Sequence, residues 1–95
     1  MTTEKESEVL WWLEGQIRYR HSDELTEFQT NRTSLKKDVL EFERILRNRL
    51  NRSDGEDFLS IPDYDMNSET EFSIIMARKA DIIQIETKIH NIVLG

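Results

Sequence analysis

Residues 72–94 read F-S-I-I-M-A-R-K-A-D-I-I-Q-I-E-T-K-I-H-N-I-V-L, and the repeat within this stretch decides the fold. Two sets of residues recur every seven positions: Ile75, Ile82 and Ile89, and Arg78, Ile85 and Ile92. A heptad of this kind is typical of a helix with an apolar seam. The preceding Ser68-Glu69-Thr70-Glu71 fits a capping box at a helix start. We therefore predict a helix over about 68–94.

The same stretch contains a competing pattern. Apolar and small polar residues also alternate at period two, in the order Ile83, Ile85, Thr87, Ile89, Asn91 and Val93. Because isoleucine is a good strand former, a β-strand over 82–94 stays open as an alternative. The capping box, the length and the absence of a turn within the stretch favour the helix.

The first half of the chain also indicates helices. Thr3-Glu4-Lys5-Glu6 fits a second capping box, which predicts a helix over about 3–20. A second helix over about 22–52 follows from a spacing of three and four in which Arg32 fills one apolar position. The apolar residues are Leu25, Phe28, Leu35, Val39, Phe42 and Leu46. Whether residues 3–52 form one long helix or two stays open.

An acidic connector over 53–67 separates the helical segments. Residues 54–71 carry seven acidic and no basic side chains. Gly55 and Pro62 favour turns there. Four apolar residues indicate that part of the connector packs down as a short extended piece: Phe58, Leu59, Ile61 and Tyr64.

The predicted fold is all-α: a single helical domain over 1–95, built as a helical hairpin or three-helix bundle with coiled-coil-like seams. The last helix is apolar over an arc of about 200°, twice the ~100° stripe that an ordinary surface helix needs. Within 95 residues there is little other helix to cover both sides. We therefore predict that self-association, as a homodimer or a higher oligomer, completes the core. The predicted interface includes Ile75, Ile82, Ile85, Ile89 and Ile92.

Two adjacent tryptophans raise a separate question. On a helix, neighbouring side chains point about 100° apart, so Trp11 and Trp12 cannot both face one core. Trp12 shares the apolar face, whereas Trp11 falls on the opposite side with Gly15. Tryptophan is enriched at binding hot spots, and a glycine lets another backbone approach closely. Trp11 and Gly15 are therefore predicted to lie at an interface.

Composition argues against an enzyme and against export. The chain has no Cys, and its two histidines, His21 and His90, lack partners at metal-ligand spacing. There is no phosphate-binding glycine motif, so we predict no cofactor, no metal and no catalytic residues. The polar, acidic N-terminus does not resemble a signal peptide, and no apolar run approaches a membrane span. These features favour an intracellular, cytoplasmic protein without a membrane span.

The predicted function is a non-enzymatic helical protein-interaction module: an adaptor, assembly factor or small regulator that binds itself and another protein. The alternative is a nucleic-acid-linked protein. Four arginines could contact phosphates or an acidic partner: Arg44, Arg47, Arg49 and Arg52. The net charge of −6 weakens direct binding, since nucleic-acid-binding domains are typically basic. An acidic DNA mimic is the other form of this alternative, and the 13 Lys and Arg side chains weaken it to a similar degree.

Overall fold

A computed structural model describes residues 8–52, 57–64 and 72–94, and it overturns the all-α prediction. The elements are β1 (Glu8–Tyr19), β2 (Leu25–Gln29), α1 (Lys36–Asn51), β3 (Phe58–Tyr64), β4 (Phe72–Arg78), a 3-10 turn (Lys79–Asp81) and β5 (Ile82–Leu94). The strands form two antiparallel sheets, ordered β2-β1-β5 and β3-β4. The predicted coiled coil and helical bundle are therefore wrong as well.

The predicted helices map onto these elements unequally. The helix expected over 3–20 is replaced by β1, and the helix expected over 68–94 by β4, the 3-10 turn and β5. Within the span 22–52, only Lys36–Asn51 is helical. The extended piece expected in the connector is β3. Both predicted capping boxes, at 3–6 and 68–71, lie outside the described residues.

β1 and β5 form a long antiparallel ribbon. Pairing runs from Glu8 opposite Leu94 to Tyr19 opposite Ile82. The register shifts beside Tyr19, and the resulting bulge leaves Ile83 without an opposing residue. The ribbon accounts for the elongated shape of the molecule, which measures 56 × 26 × 21 Å.

Period-two alternation explains why residues 8–19 form a strand. Successive side chains of a strand point to opposite faces. The odd-numbered positions include Leu13 and Ile17, which are fully buried beneath α1, while the even-numbered positions include Glu14, Gln16 and Arg18 on the other face. β1 is the central strand of its sheet and pairs with β5 along one edge and with β2 along the other.

The core lies between α1 and the inner faces of both sheets. Val39 and Leu46 lie on one face of α1. They belong to one buried cluster with side chains from all five strands. The strand residues of this core are Leu13, Ile17, Phe28, Leu59, Ile61, Ala77, Ile82 and Ile85. Two residues of the predicted helical seam, Leu25 and Leu35, are exposed.

A short corner connects the two sheets. The 3-10 turn Lys79–Asp81 ends β4 and redirects the chain into β5. Arg20 holds this corner, since its backbone N–H donates to Asp81 O at 2.8 Å and its Nε donates to Ala80 O at 2.9 Å. β5 is thereby aligned against β1 instead of continuing the β3-β4 hairpin.

Candidate interaction surfaces

The two tryptophans occupy opposite faces of the sheet, as neighbours on a strand must. Trp11 is partly buried on the α1 side, where the Lys36 ammonium lies 5.0 Å from its ring centre. Trp12 lies on the outer face and is 9% exposed. There the Arg32 guanidinium sits 3.7 Å above its ring and His90 stacks against it at 5.5 Å.

The cluster around Trp12 is closed on itself. Glu14 accepts a hydrogen bond from Trp12 Nε1 and lies against His90 Nε2, both at 3.0 Å. Arg32 donates to Gln29 at 3.1 Å. Burial lowers the pKa of Arg32 below its ordinary value, and the nearby Glu14 carboxylate opposes that shift. Because these polar groups bind one another, we expect the cluster to stabilise the sheet.

Of the seven predicted interface residues, one is exposed. Ile82, Ile85 and Gly15 are buried within the single chain. Trp11, Ile75 and Ile89 are partly buried against the core. Ile92 is 48% exposed near the end of β5.

The four predicted arginines do not act as one cluster. Arg44 pairs with Glu41 on the surface of α1, and this contact raises the pKa of Arg44 and lowers that of Glu41. Arg47 donates to β5, as described below. Arg49 and Arg52 line a cleft beside β3. Arg44, Arg47 and the pair Arg49 and Arg52 thus make different contacts.

The outward side of the β3-β4 hairpin is apolar and exposed. Ser60 opposes Met76 and Pro62 opposes Ile74 on this side, with Phe58 at one end. The exposed fractions are 46% for Phe58, 56% for Ile74 and 60% for Met76. We call the surface of Phe58, Pro62, Ile74 and Met76 the hairpin face. A contiguous exposed apolar surface of this kind marks an interaction site more often than scattered apolar residues do.

Basic side chains border one end of the hairpin face. Phe58 and Met76 help to line an open cleft of about 690 Å³ with Arg49, Arg52 and Asp57. The Arg78 guanidinium lies 5.1 Å from the centre of the Phe58 ring. Arg49 and Arg78 thus add positive charge to this border.

The second candidate surface is the outer edge of β5. Trp11 and Thr33 exchange two backbone hydrogen bonds, at 2.7 and 2.9 Å, on the side of β1 away from β5. Successive residues of a strand point their N–H and C=O groups to opposite edges. Because Trp11 bonds to Thr33, the even-numbered β1 residues bond to β5, as in the pair Trp12–His90. The odd-numbered β5 residues consequently direct their N–H and C=O groups outward. They include Thr87, Ile89, Asn91 and Val93.

Part of that edge is already occupied by α1. Arg47 Nη1 donates to Ile85 O at 2.8 Å, and its Nη2 donates to Thr87 Oγ1 at 2.9 Å. The Thr87 hydroxyl in turn donates to Glu43. Beyond this contact, no backbone partner from the described residues pairs with the outward groups of 88–94. We call residues 88–94 the β5 edge.

Metal-ligating side chains do not cluster in the described residues. No group of three or more His, Asp or Glu side chains among them could hold a metal ion. His21 is exposed in the turn after β1, and His90 belongs to the Trp12 cluster. Nor is any helix in the described ranges long and apolar enough to cross a membrane.

Comparison with protein families, with curated proteins and with solved structures gives no match. Function must therefore be argued from the surfaces themselves. Sequence reasoning missed the hairpin face because 53–67 reads as an acidic connector. The available signal was the alternation of Leu59 and Ile61 with Phe58, Ser60 and Pro62.

Proposed function

We propose that the protein is a non-enzymatic protein-interaction module whose hairpin face receives an apolar segment of another protein. The observation that carries this proposal is the exposure of Phe58, Ile74 and Met76 side by side on one sheet face. Water contact with such a surface is unfavourable, and burying it against a partner recovers roughly 25 cal/mol per Å² of apolar area.

The border of the hairpin face indicates the chemistry of the partner. Arg49 and Arg78 lie beside Phe58 and Met76. Acidic side chains next to the apolar segment would complement these guanidinium groups and speed association at low salt. The proposed partner segment is therefore apolar with acidic flanks. This retains the adaptor or regulator role expected from sequence and replaces its helical surface with a β-sheet face.

The test compares two variants that each replace exposed apolar residues by polar ones. Ile74→Thr/Met76→Thr alters the hairpin face with strand-compatible residues, and Leu40→Gln alters the exposed outer side of α1. The immobilised chain is used to retain proteins from an extract of the source cells. Each retained protein is then purified and titrated into the isotope-labelled chain. We expect NMR chemical-shift changes concentrated on β3 and β4. The double variant should bind the partner at least tenfold more weakly, a loss of about 1.4 kcal/mol.

Leu40→Gln should retain the affinity of the unaltered protein. Equal affinity for both variants, or shifts confined to other elements, would contradict the proposal. A nucleic-acid activity would instead show a steep salt dependence, which a titration with duplex DNA measures directly.

A further inference from the structure

We propose that the β5 edge pairs with the β5 edge of a second copy of this chain, forming a two-fold symmetric dimer with one continuous sheet. The strand order would be β2-β1-β5-β5-β1-β2. This surface is separate from the hairpin face, so the inference goes beyond the proposed function and can fail independently of it.

The open backbone groups provide the first argument. Ile89, Asn91 and Val93 direct their N–H and C=O groups away from β1. An exposed row of this kind is a template for another strand, and proteins without such a partner usually shield it with charge, proline or a covering element. Among residues 89–94 there is no Pro, Asp, Glu, Lys or Arg. Within the described part of the chain, shielding is present only further back, where Arg47 binds Ile85.

The end of the ribbon provides the second argument. Beyond the Trp11–Thr33 bridge, β1 and β5 form two strands alone among the described residues. Both of their faces are apolar here, with Val9 opposite Val93 and Leu10 opposite Ile92. A two-stranded ribbon is marginally stable in water, whereas four strands bury these faces against neighbours. Val93 is 58% exposed in the single chain, so it has surface to bury.

Self-complementarity selects a second copy as the occupant. An isologous two-fold contact requires each residue to meet a suitable residue of the same segment. Centring the axis on Asn91 places Ile89 opposite Val93 of the second copy, and His90 opposite Ile92. Lys88 then meets Leu94, so no like charges oppose each other despite the net charge of −6. Asn91 meets its own counterpart, and its amide can both donate and accept.

The contact with Arg47 argues against a dimer axis placed further back, on Thr87. An axis on Thr87 would pair Glu86 with Lys88 but would also require the carbonyl of Ile85, which already accepts from Arg47. An axis on Asn91 leaves Ile85 and its partner undisturbed. The proposed register therefore uses 88–94 and no residue held by α1.

The first experiment is sedimentation of the full chain. We expect a dimer of twice the 11.3 kDa chain mass for the unaltered protein and for Asn91→Ala. Asn91→Pro should sediment as a monomer with unchanged circular dichroism, because proline removes an outward N–H that β1 does not use. A monomer at high micromolar concentration without any substitution would overturn the proposal. So would an Asn91→Pro variant that remains dimeric.

The second experiment tests the register by disulfide cross-linking. Because the chain has no native Cys, only the introduced cysteines can form a disulfide. With oxidised glutathione, Asn91→Cys should form a disulfide-linked dimer, since directly opposed residues have Cα atoms about 5.5 Å apart. Val93→Cys is the matched control, because its two copies would lie about 14 Å apart. Cross-linking that is stronger for Val93→Cys would overturn this register. Ile74→Thr/Met76→Thr should stay dimeric, which separates this result from the test of the hairpin face.

Discussion

At the scale of single residues, Gly15 shows how a predicted interface position can have an internal role. The sequence indicated a glycine that admits another chain. In the structure, Gly15 admits the ring of its own cross-strand neighbour, Phe28. A Cβ built on Gly15 would lie 2.1 Å from Phe28 Cζ. Phe28 is almost fully buried, so a methyl group at residue 15 would force its ring to shift among packed neighbours.

We expect Gly15→Ala to destabilise the fold by roughly 1–3 kcal/mol, the usual cost of overpacking a core. Urea denaturation followed by tryptophan fluorescence measures the loss. The double variant Gly15→Ala/Phe28→Leu, whose smaller side chain makes room for the methyl group, should recover part of it. An unchanged midpoint for Gly15→Ala would mean that Phe28 does not lie over Gly15.

The tryptophan pair illustrates what residue-level reasoning could and could not determine. The inference that Trp11 and Trp12 face different ways depends only on their adjacency and holds for a strand as well as for a helix. The environment of each ring depends on the period. At period two, Trp12 falls on the outer face, where Arg32 and His90 cover it.

At the scale of elements, β5 explains why the fold was mispredicted. Ile82 and Ile89 are seven residues apart, and an odd separation puts two residues on opposite faces of a regular strand. The bulge at Ile83 adds one residue and returns them to the same face. The inward positions Ile82, Ile85 and Ile89 thereby acquire the spacing of a helical seam.

A matched pair of variants tests the bulge. Ile85 is buried at 2% exposure and Ile83 is 53% exposed, although both are isoleucines of one strand. We expect Ile85→Ala to cost roughly 2–5 kcal/mol, the range for truncating a buried aliphatic side chain. Ile83→Ala should stay within about 0.5 kcal/mol, as for ordinary surface substitutions. Equal losses in thermal or chemical unfolding would contradict this register.

Other elements were more accessible to sequence reasoning. Val39 and Leu46 keep the helical spacing that predicts the inner face of α1. β1 was hidden, since Leu10 and Trp12 make its first half apolar on both faces and mask the alternation that Glu14 and Gln16 show later. Long-range pairing, such as Glu8 with Leu94, leaves no local signal of its own.

At the scale of the whole molecule, the two candidate surfaces belong to different sheets. The hairpin face is formed by β3 and β4, while the β5 edge continues the sheet of β1 and β2. In the proposed dimer, each copy retains its own hairpin face, so the assembly would present two partner sites. Two linked sites raise avidity when a partner can engage both at once.

The most direct test of the account is amide hydrogen exchange along β5, followed residue by residue with concentration. In dilute protein, we predict slow exchange at Lys88 and His90, which bond to β1, and fast exchange at Ile89 and Asn91, which face outward. Raising the concentration should slow Ile89 and Asn91 selectively as dimers form. Equal protection of odd and even amides in dilute protein, the pattern of a helix, would contradict the account. Exchange rates at Ile89 and Asn91 that do not change with protein concentration would also contradict it.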